Sequence, residues 1–565
     1  MSNKSKTTEI ILPKGCTGMI LLNHALYNKG TAFTEDERQQ FLLHGLLPSQ
    51  IESLDKQTKR MYQFFQTHTT ALEKHLMLRK IANRNKVLFF NLIFQNLEEM
   101  LPIIYTPTIG EAVTSFPLHD TPRGGLYLPK NKQHVFDKLV ANSPIPQADI
   151  IVITDGSAIL GIGDQGMAGI DICIAKLMVY TLCGGISPYR TLPVVIDVGT
   201  NNEQLLENPL YQGCQSERLT GIAYESVIDN AIAALKKRYP NALFHWEDFD
   251  RNHAQRHLDH HQKNLCTFND DIQGTGAVTL ATISTACRAN HSHLIEQTYL
   301  IFGAGTAGIG IADRIFEALT MLGLSHAEAQ DKIWLIDRDG LVTHNLSNLT
   351  DGQRKYAKDP GQINDWMTQE NAISLLHHVI KNVEPTVLIG CSAVSGAFDK
   401  AAIQHMLTYM SHPIILPLSN PTDRCEATPK DLIYWTNGRA RVATGSPFPS
   451  VDYHGQGFVI AQCNNAMIYP GIGLGCAISN ASRITEKMIW AASEALSEST
   501  PNIEHPGAAL LPTLSSIQET SAKIAYAIAK QAVEEKVATH LPSHEEIIDY
   551  MWQPHYPTFI QATKS

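Results

Sequence analysis

The chain has 565 residues, 44% of them hydrophobic and 18% charged, and a net charge of −10. That length exceeds one hydrophobic core and divides into roughly two to four domains, while the acidic balance and the absence of long basic blocks exclude a nucleic-acid partner. No run of about 18 apolar residues reads as a membrane span, the start MSNKSKTTEIILPKG lacks a signal peptide's apolar core, and ten scattered cysteines without a Cys-x-x-Cys read as free thiols in a reducing compartment. The expectation is a cytoplasmic protein with no membrane partner.

Thr34 to about Met100 is helical in pattern: Thr34 and Glu37 make a capping box, and Ala71–Met100 repeats apolar residues every three or four positions. Prolines 102, 107, 117, 122 and 129 then predict a loop-rich passage from Pro102 to Pro129, with Tyr105 of YTPT inside it. On its own, a loop tyrosine reads as packing or surface as readily as chemistry.

Ala148–Thr154, ADIIVIT, reads as a buried strand of parallel type, ended by Asp155-Gly156. GIGDQG behind it sets Gly161, Gly163 and Gly166 at dinucleotide spacing, and the strand Arg190–Asp197 offers Asp197 as an acidic residue for a ribose. The Asp155-Gly156 turn separates strand from glycines, however, whereas the fingerprint needs strand, glycines and helix in direct succession.

HWEDF carries Glu247 and Asp248, and CTFNDDIQGTG places Asp270 and Asp271 on a turn ahead of a helix over Gly274–Ala289. Carboxylates so close disfavour each other's ionisation unless a cation or a fixed ammonium stands between them. Hard oxygen donors with few thiols nearby suit Mg²⁺ or Mn²⁺ rather than zinc. Taken alone, an Asp-Asp pair reads as a solvated acidic loop; the nucleotide motif that follows it favours a site.

That motif is the strand Gln297–Phe302 running into GAGTAG, with Gly303, Gly305, Thr306, Ala307 and Gly308, then a helix over Ile309–Leu322 and a strand over Lys332–Asp337. The first glycine makes the turn, the second admits a pyrophosphate, the third packs helix on strand, and phosphate rests on the helix N-terminus. Asp337 can accept both ribose hydroxyls and repel a 2′-phosphate, with Arg338 beside it as a counterweight. Its spacing from the glycines is long because Met321–Asp331 is expected to insert a loop. Further strands follow at Thr386–Ile389, Pro413–Leu418 and Ala440–Ala443, with a helical fragment at Leu432–Trp435 and helix from Ser479 to about Glu535. Ligands of such sheets gather at strand carboxyl ends, which places Asn420 well; Asn464 and Asn465 lie in QCNNA ahead of PGIGLG.

Together, YTPTIGEA, PRGGLYL, TDGSAILGIGDQG, LPVVIDVGTNN, HWEDF, FNDDIQGTG, FGAGTAGIGIA, PLSNPT, ATGSPF and QCNNA resemble the malic enzyme family over roughly Lys29–Ala525. The resemblance implies an α/β fold: a Rossmann-type doubly wound dinucleotide domain, an α/β substrate domain, and helical N- and C-terminal regions. The divisions it implies are 1–120 helical, 121–270 substrate domain completed by 466–535, 271–465 for NAD, and 536–565 as a tail. It favours the second glycine motif over the first.

The implied reaction is oxidative decarboxylation of L-malate to pyruvate and CO₂ with NAD⁺ and Mg²⁺ or Mn²⁺, in a homodimer or homotetramer. Glu247, Asp248 and Asp271 would hold the metal, Lys176 would be the general base oriented by Asp270, and Tyr105 would protonate the enolate carbon. Asn420, with Asn464 or Asn465, would bind the substrate carboxylate or the cofactor. A lysine base would have to be lowered by burial or by the metal, and Lys176 read without the family is a snorkelling surface lysine.

One departure bears on the product. The family's arginine two residues after Asp-Gly is Ala158 here, and alanine cannot replace a bidentate clamp; Arg123 is the nearest substitute. Malolactic enzymes also lack that arginine and share Asp171, LMVY and Gly276 with this chain, while Thr106 and PRGGLYL match malic enzymes proper. The expectation is pyruvate, with lactate from bound NAD as the alternative. A catalytically silent NAD-binding regulator is a third reading, opposed by the retained Tyr105, Lys176, Glu247, Asp248 and Asp271. Arg60 and Arg84 match arginines that hold fumarate in some relatives, and equally suit surface salt bridges.

Overall fold

Runs of branched apolar residues closed by small polar turns form parallel strands, which need helical crossovers to cover both faces. The computed structural model describes residues 9–115, 124–363, 372–501, 503–505 and 507–561. The chain forms two compact units: Met1–Ala148 with Thr154–Arg238 and Met551–Ser565, and Asp149–Ile153 with Tyr239–Tyr550.

In the first unit, helices Leu54–Gln66, Ala71–Ala82 and Lys86–Phe94 start at Ser53, Thr70 and Asn85, whose side chains accept from Lys56, Glu73 and Leu88 N–H groups. The strands Glu9–Leu12 and Thr558–Gln561 pair in parallel over a core that includes Leu12, Leu21, Phe33, Phe41 and Phe559. Leu126–Pro129 pairs in parallel with Thr191–Asp197. Among the described residues one helix is long and apolar enough to cross a membrane, over Gly166–Gly184 with mean hydropathy 1.5, but 94% of it is buried inside the protein. It is a core helix carrying Asp171 and Lys176.

The passage read as loop-rich is helical on both sides of Tyr105. The helix Leu97–Ile104 contains Pro102, and Thr108–Thr114 follows Pro107 at its N-cap. Burial of Met100, Leu101 and Ile104 offsets the hydrogen bond that Pro102 cannot donate, and an N-cap proline forfeits none. Residues 116–123, with Arg123 among them, lie outside the described residues.

In the second unit a seven-stranded sheet runs in the order Ala461–Gln462, Arg441–Thr444, Ile414–Pro417, Val387–Gly390, Tyr299–Phe302, Ile333–Asp337, Gly340–Leu341. Only the last pairing is antiparallel. Leu300, Phe302, Leu388 and Ile415 of this sheet pack with Val379 and Ile403. The same unit pairs Ile150–Ile153 in parallel with Leu243–Trp246, which pairs in parallel with Thr267–Asn269.

Two expectations change here. Met321–Asp331 is not simply a loop: it holds the helix His326–Asp331, started by a Ser325–Glu328 capping box. The helix expected from Ser479 to Glu535 is two, Glu486–Glu498 and Ile517–Glu534, with Pro501 and Pro512 between them.

Candidate active site

The acidic residues issue from neighbouring parallel strands. Trp246 is in register with Asn269, so Glu247-Asp248 and Asp270-Asp271 leave the sheet side by side at its carboxyl edge. Glu247, Asp248 and Asp271 offer ligand atoms within 4.8 Å of one another. Three carboxylates at that separation repel strongly unless a cation sits among them, and an all-oxygen donor set fits Mg²⁺ or Mn²⁺.

Backbone and side-chain hydrogen bonds fix each member. Glu247 N–H donates to Ile153 O at 2.9 Å, and His245 Nε2 contacts Glu247 Oε2 at 2.8 Å. Asp248 sits at φ 55, a left-handed conformation that turns its own N–H onto Asp271 Oδ2 at 2.9 Å. Asp270 is fully buried and accepts from Asn465 Nδ2 at Oδ2, 2.9 Å, and at its carbonyl, 3.1 Å. Asp270–Gly274 form one wide helical turn ahead of the helix Thr275–Ala289, and a Cβ on Gly274 would lie 2.0 Å from Asp270 Oδ1. In this structure the Asn465 amide is thus engaged with Asp270, and Asn464 Oδ1 accepts from Ala466 N–H at 2.8 Å.

The glycine turn follows the strand Tyr299–Phe302 directly and opens the helix Thr306–Met321. Gly303 has φ +109, and a Cβ there would strike the Cys391 carbonyl carbon at 2.4 Å. A Cβ on Gly308 would lie 2.0 Å from Gly303 O, whereas one on Gly305 would meet nothing within 4 Å. The three positions therefore divide into turn, close packing and open face, with Thr306 and Ala307 half-buried at the helix start.

Asp337 ends the next strand and accepts from Gln353 Nε2 at 2.7 Å. The same nitrogen reaches Ala304 O at 3.2 Å, and Arg251 Nη2 donates to that carbonyl at 2.9 Å and to Thr350 Oγ1 at 3.3 Å. Sequence reading missed Gln353 and Arg251, because neither belongs to the fingerprint; the Thr350–Gln353 capping box was the available signal. Arg338 is exposed, and exposed Asn420 accepts from Ser446 Oγ at 2.5 Å.

The first unit holds Tyr105 and Lys176, both buried, with Lys176 Nζ 5.4 Å from the Tyr105 ring centroid. That excludes the snorkelling reading of Lys176. Its helix-mate Asp171 pairs with Arg79 at 3.1 Å, both buried. Asp197 accepts from Gly199 N–H at 3.2 Å and Cys214 N–H at 2.7 Å, so it serves its own loop. Arg60 pairs with Glu52 at 2.6 Å, and Ala158 is half-buried.

Family models agree with this geometry: the malic enzyme N-terminal domain matches residues 82–262, and the malic enzyme NAD-binding domain matches residues 272–533. The chain belongs to the malic enzyme family. It is 45% identical over 543 residues to an NAD-dependent malic enzyme of Acinetobacter baylyi, covering 95% of this chain and 96% of that one. To an NAD-dependent malic enzyme of Pseudomonas aeruginosa it is 44% identical over 545 residues, covering 96% and 97%. Among solved structures, a malic enzyme from Pyrococcus horikoshii shares the malic enzyme fold with TM-score 0.54 at 22% identity, over 80% of this chain and 88% of that one. An Entamoeba histolytica malic enzyme matches with TM-score 0.54 at 19% identity over 90% of each.

Proposed function

We propose that this chain is an NAD-dependent malic enzyme, converting L-malate to pyruvate and CO₂ while reducing NAD⁺. The observation that carries the proposal is near-full-length similarity to enzymes of that name, in a chain whose own carboxylates form an oxygen-donor cluster at a sheet edge. Glu247, Asp248 and Asp271 hold the divalent metal, which when bound supplies Lewis acidity toward the substrate's oxygen atoms. Lys176 takes the C2 hydroxyl proton as hydride leaves C2, and Asp270, held by Asn465, orients that exchange. After CO₂ departs with cleavage of the C–C bond, Tyr105 delivers a proton to the enolate carbon. Burial of Lys176 beside the Tyr105 ring supports paired acid–base roles for the two.

Residues 271–465 act as the nucleotide domain in this reading, since every strand of the seven-stranded sheet lies within them. Gly305, Thr306 and Ala307 receive the diphosphate, Asp337 the ribose, and Asn420 the substrate or nicotinamide side. Arg123 takes the substrate carboxylate in place of the arginine that Ala158 lacks. Residues 1–120, 121–270 with 466–535, and 536–565 complete the division. A homodimer or homotetramer and a cytoplasmic location accompany the proposal; none of the ten cysteines forms a disulfide.

Ala158 is the observation that keeps a malolactic outcome as the second reading. Incubation with malate, Mn²⁺ and limiting NAD⁺ separates the two: pyruvate and NADH should appear in equal amounts, and lactate in large excess over NAD⁺ would overturn the proposal. Asp271→Asn should cut turnover by orders of magnitude and raise the Mn²⁺ requirement; unchanged activity at limiting Mn²⁺ would remove Asp271 from the ligand set.

A further inference from the structure

In a β-strand, residues two apart share a face. His245 sits in the strand Leu243–Trp246, and Glu247 follows it by two positions as the chain leaves the sheet. The imidazole Nε2 lies 2.8 Å from Glu247 Oε2, and both side chains are buried, at 0% and 2% exposure. The ring has little room to turn. Phe268, in register with His245 on the next strand, stands edge-on at 5.6 Å, and Tyr469 closes the other approach at 5.5 Å. Ligating atoms of His245, Glu247 and Asp270 all fall within 4.8 Å of one another, so the histidine adjoins both the metal-side carboxylate and the buried aspartate.

We infer that His245 is a positioning residue for the metal site, pinning one oxygen of Glu247 through its Nε2–H so that the carboxylate meets the cation already oriented. The role needs only an N–H at Nε2, which the imidazolium carries and which the neutral ring carries in its Nε2–H tautomer; a Glu247 carboxylate, which only accepts, selects that tautomer. Groups behind a ligating side chain fix its rotamer, and their loss weakens metal affinity about 10–100-fold without removing a ligand. The inference rests on the assignment of Glu247 as a ligand.

Equilibrium Mn²⁺ titration followed by electron paramagnetic resonance, without substrate or NAD⁺, tests it together with thermal unfolding of the metal-free protein. His245→Phe fills the same aromatic slot without a donor; His245→Met serves if the phenylalanine variant fails to fold. The donorless variant should bind Mn²⁺ about 10–100-fold more weakly, while His245→Gln, which restores an N–H, should recover to within about threefold. Glu247→Gln is the control. If it binds Mn²⁺ like the native chain, the ligand assignment beneath the inference fails. If Glu247→Gln loses the metal but the donorless His245 variant does not, the positioning role alone is overturned. A His245→Gln variant no better than His245→Phe would reduce the histidine to packing. Pulsed-resonance coupling from a directly bound imidazole nitrogen would make it a ligand instead, and would likewise overturn the inference.

Discussion

GIGDQG at Gly161–Gly166 and GAGTAG at Gly303–Gly308 share one glycine spacing and have opposite surroundings. In the first, Ile159 N–H bonds to Gly163 O at 3.0 Å, curling the chain back before any helix starts. Asp164 within the motif accepts from Gly166 and Asn201 N–H groups and takes the Arg218 guanidinium in a fork, at 2.8 and 2.7 Å. Arg218 also lies 3.3 Å from buried Asp155. Burial alone would raise the Asp164 carboxyl, but the Arg218 contacts together with the Asn201 and Gly166 N–H groups outweigh it and hold the group below the usual range. The second motif has no acid, feeds a helix at once, and leaves Gly305 facing open space. Equal spelling therefore separates into an internal ionic anchor and an open-faced helix entrance, according to whether the strand runs straight into the glycines.

The comparison breaks most visibly at Arg218. Arg218→Leu strands buried Asp155 and partly buried Asp164 and should lower unfolding free energy by about 3 kcal/mol, with the NAD⁺ Kd of the folded protein within about threefold. A loss confined to NAD⁺ affinity would make the first turn a nucleotide site after all. Gly308→Ala comes next: overpacking against Gly303 O should cost about 1–3 kcal/mol and weaken NAD⁺ binding in parallel, as urea unfolding and calorimetric titration can record.

Acid should separate the first turn from the helix Arg251–His261. His257 is buried and stacks on Trp246 at 5.3 Å; burial, with help from neighbouring His253 and His261, pushes its pKa down to about 3. Because the unfolded chain takes up that proton from about pH 6.5 downward and the folded chain does not, stability should fall with acidification. The slope is about 1.4 kcal/mol per pH unit, ending as pH nears the folded value. The Asp164 contribution is retained until below the ordinary aspartate pKa, since its folded pKa is depressed. His257→Phe should flatten the unfolding free energy between pH 6.5 and 5; an unchanged slope would place the titration elsewhere.

Smaller effects sharpen the contrast. Gly305→Ala meets no neighbour within 4 Å, so stability should stay within about 0.5 kcal/mol while NAD⁺ affinity drops roughly tenfold, about 1.4 kcal/mol. Gly161→Ala is equally uncrowded, and with the second motif as the proposed nucleotide site both melting temperature and NAD⁺ Kd should hold.

Local pattern carried much of the site into view. Strand Lys332–Asp337 was legible from its apolar run and appears as Ile333–Asp337, and the capping box at Thr34 forms as its spacing demands. The helices flanking Tyr105 were not legible, because proline signals outweighed an apolar period whose strength lies in burial. Ser325–Glu328 was a readable box passed over inside an expected loop.

The sequence by itself determined that Gly303, Gly305 and Gly308 open a helix and that Asp337 ends the next strand, since periodicity and turn chemistry act between near neighbours. Only the tertiary structure decided what holds those groups. Asn465 reaches Asp270 across 195 positions, Arg251 reaches Ala304 across 53, and Asp248 turns left-handed to present its N–H to Asp271. No local preference encodes such contacts; strand register and helix packing bring the partners within hydrogen-bond distance, and burial makes each bond obligatory.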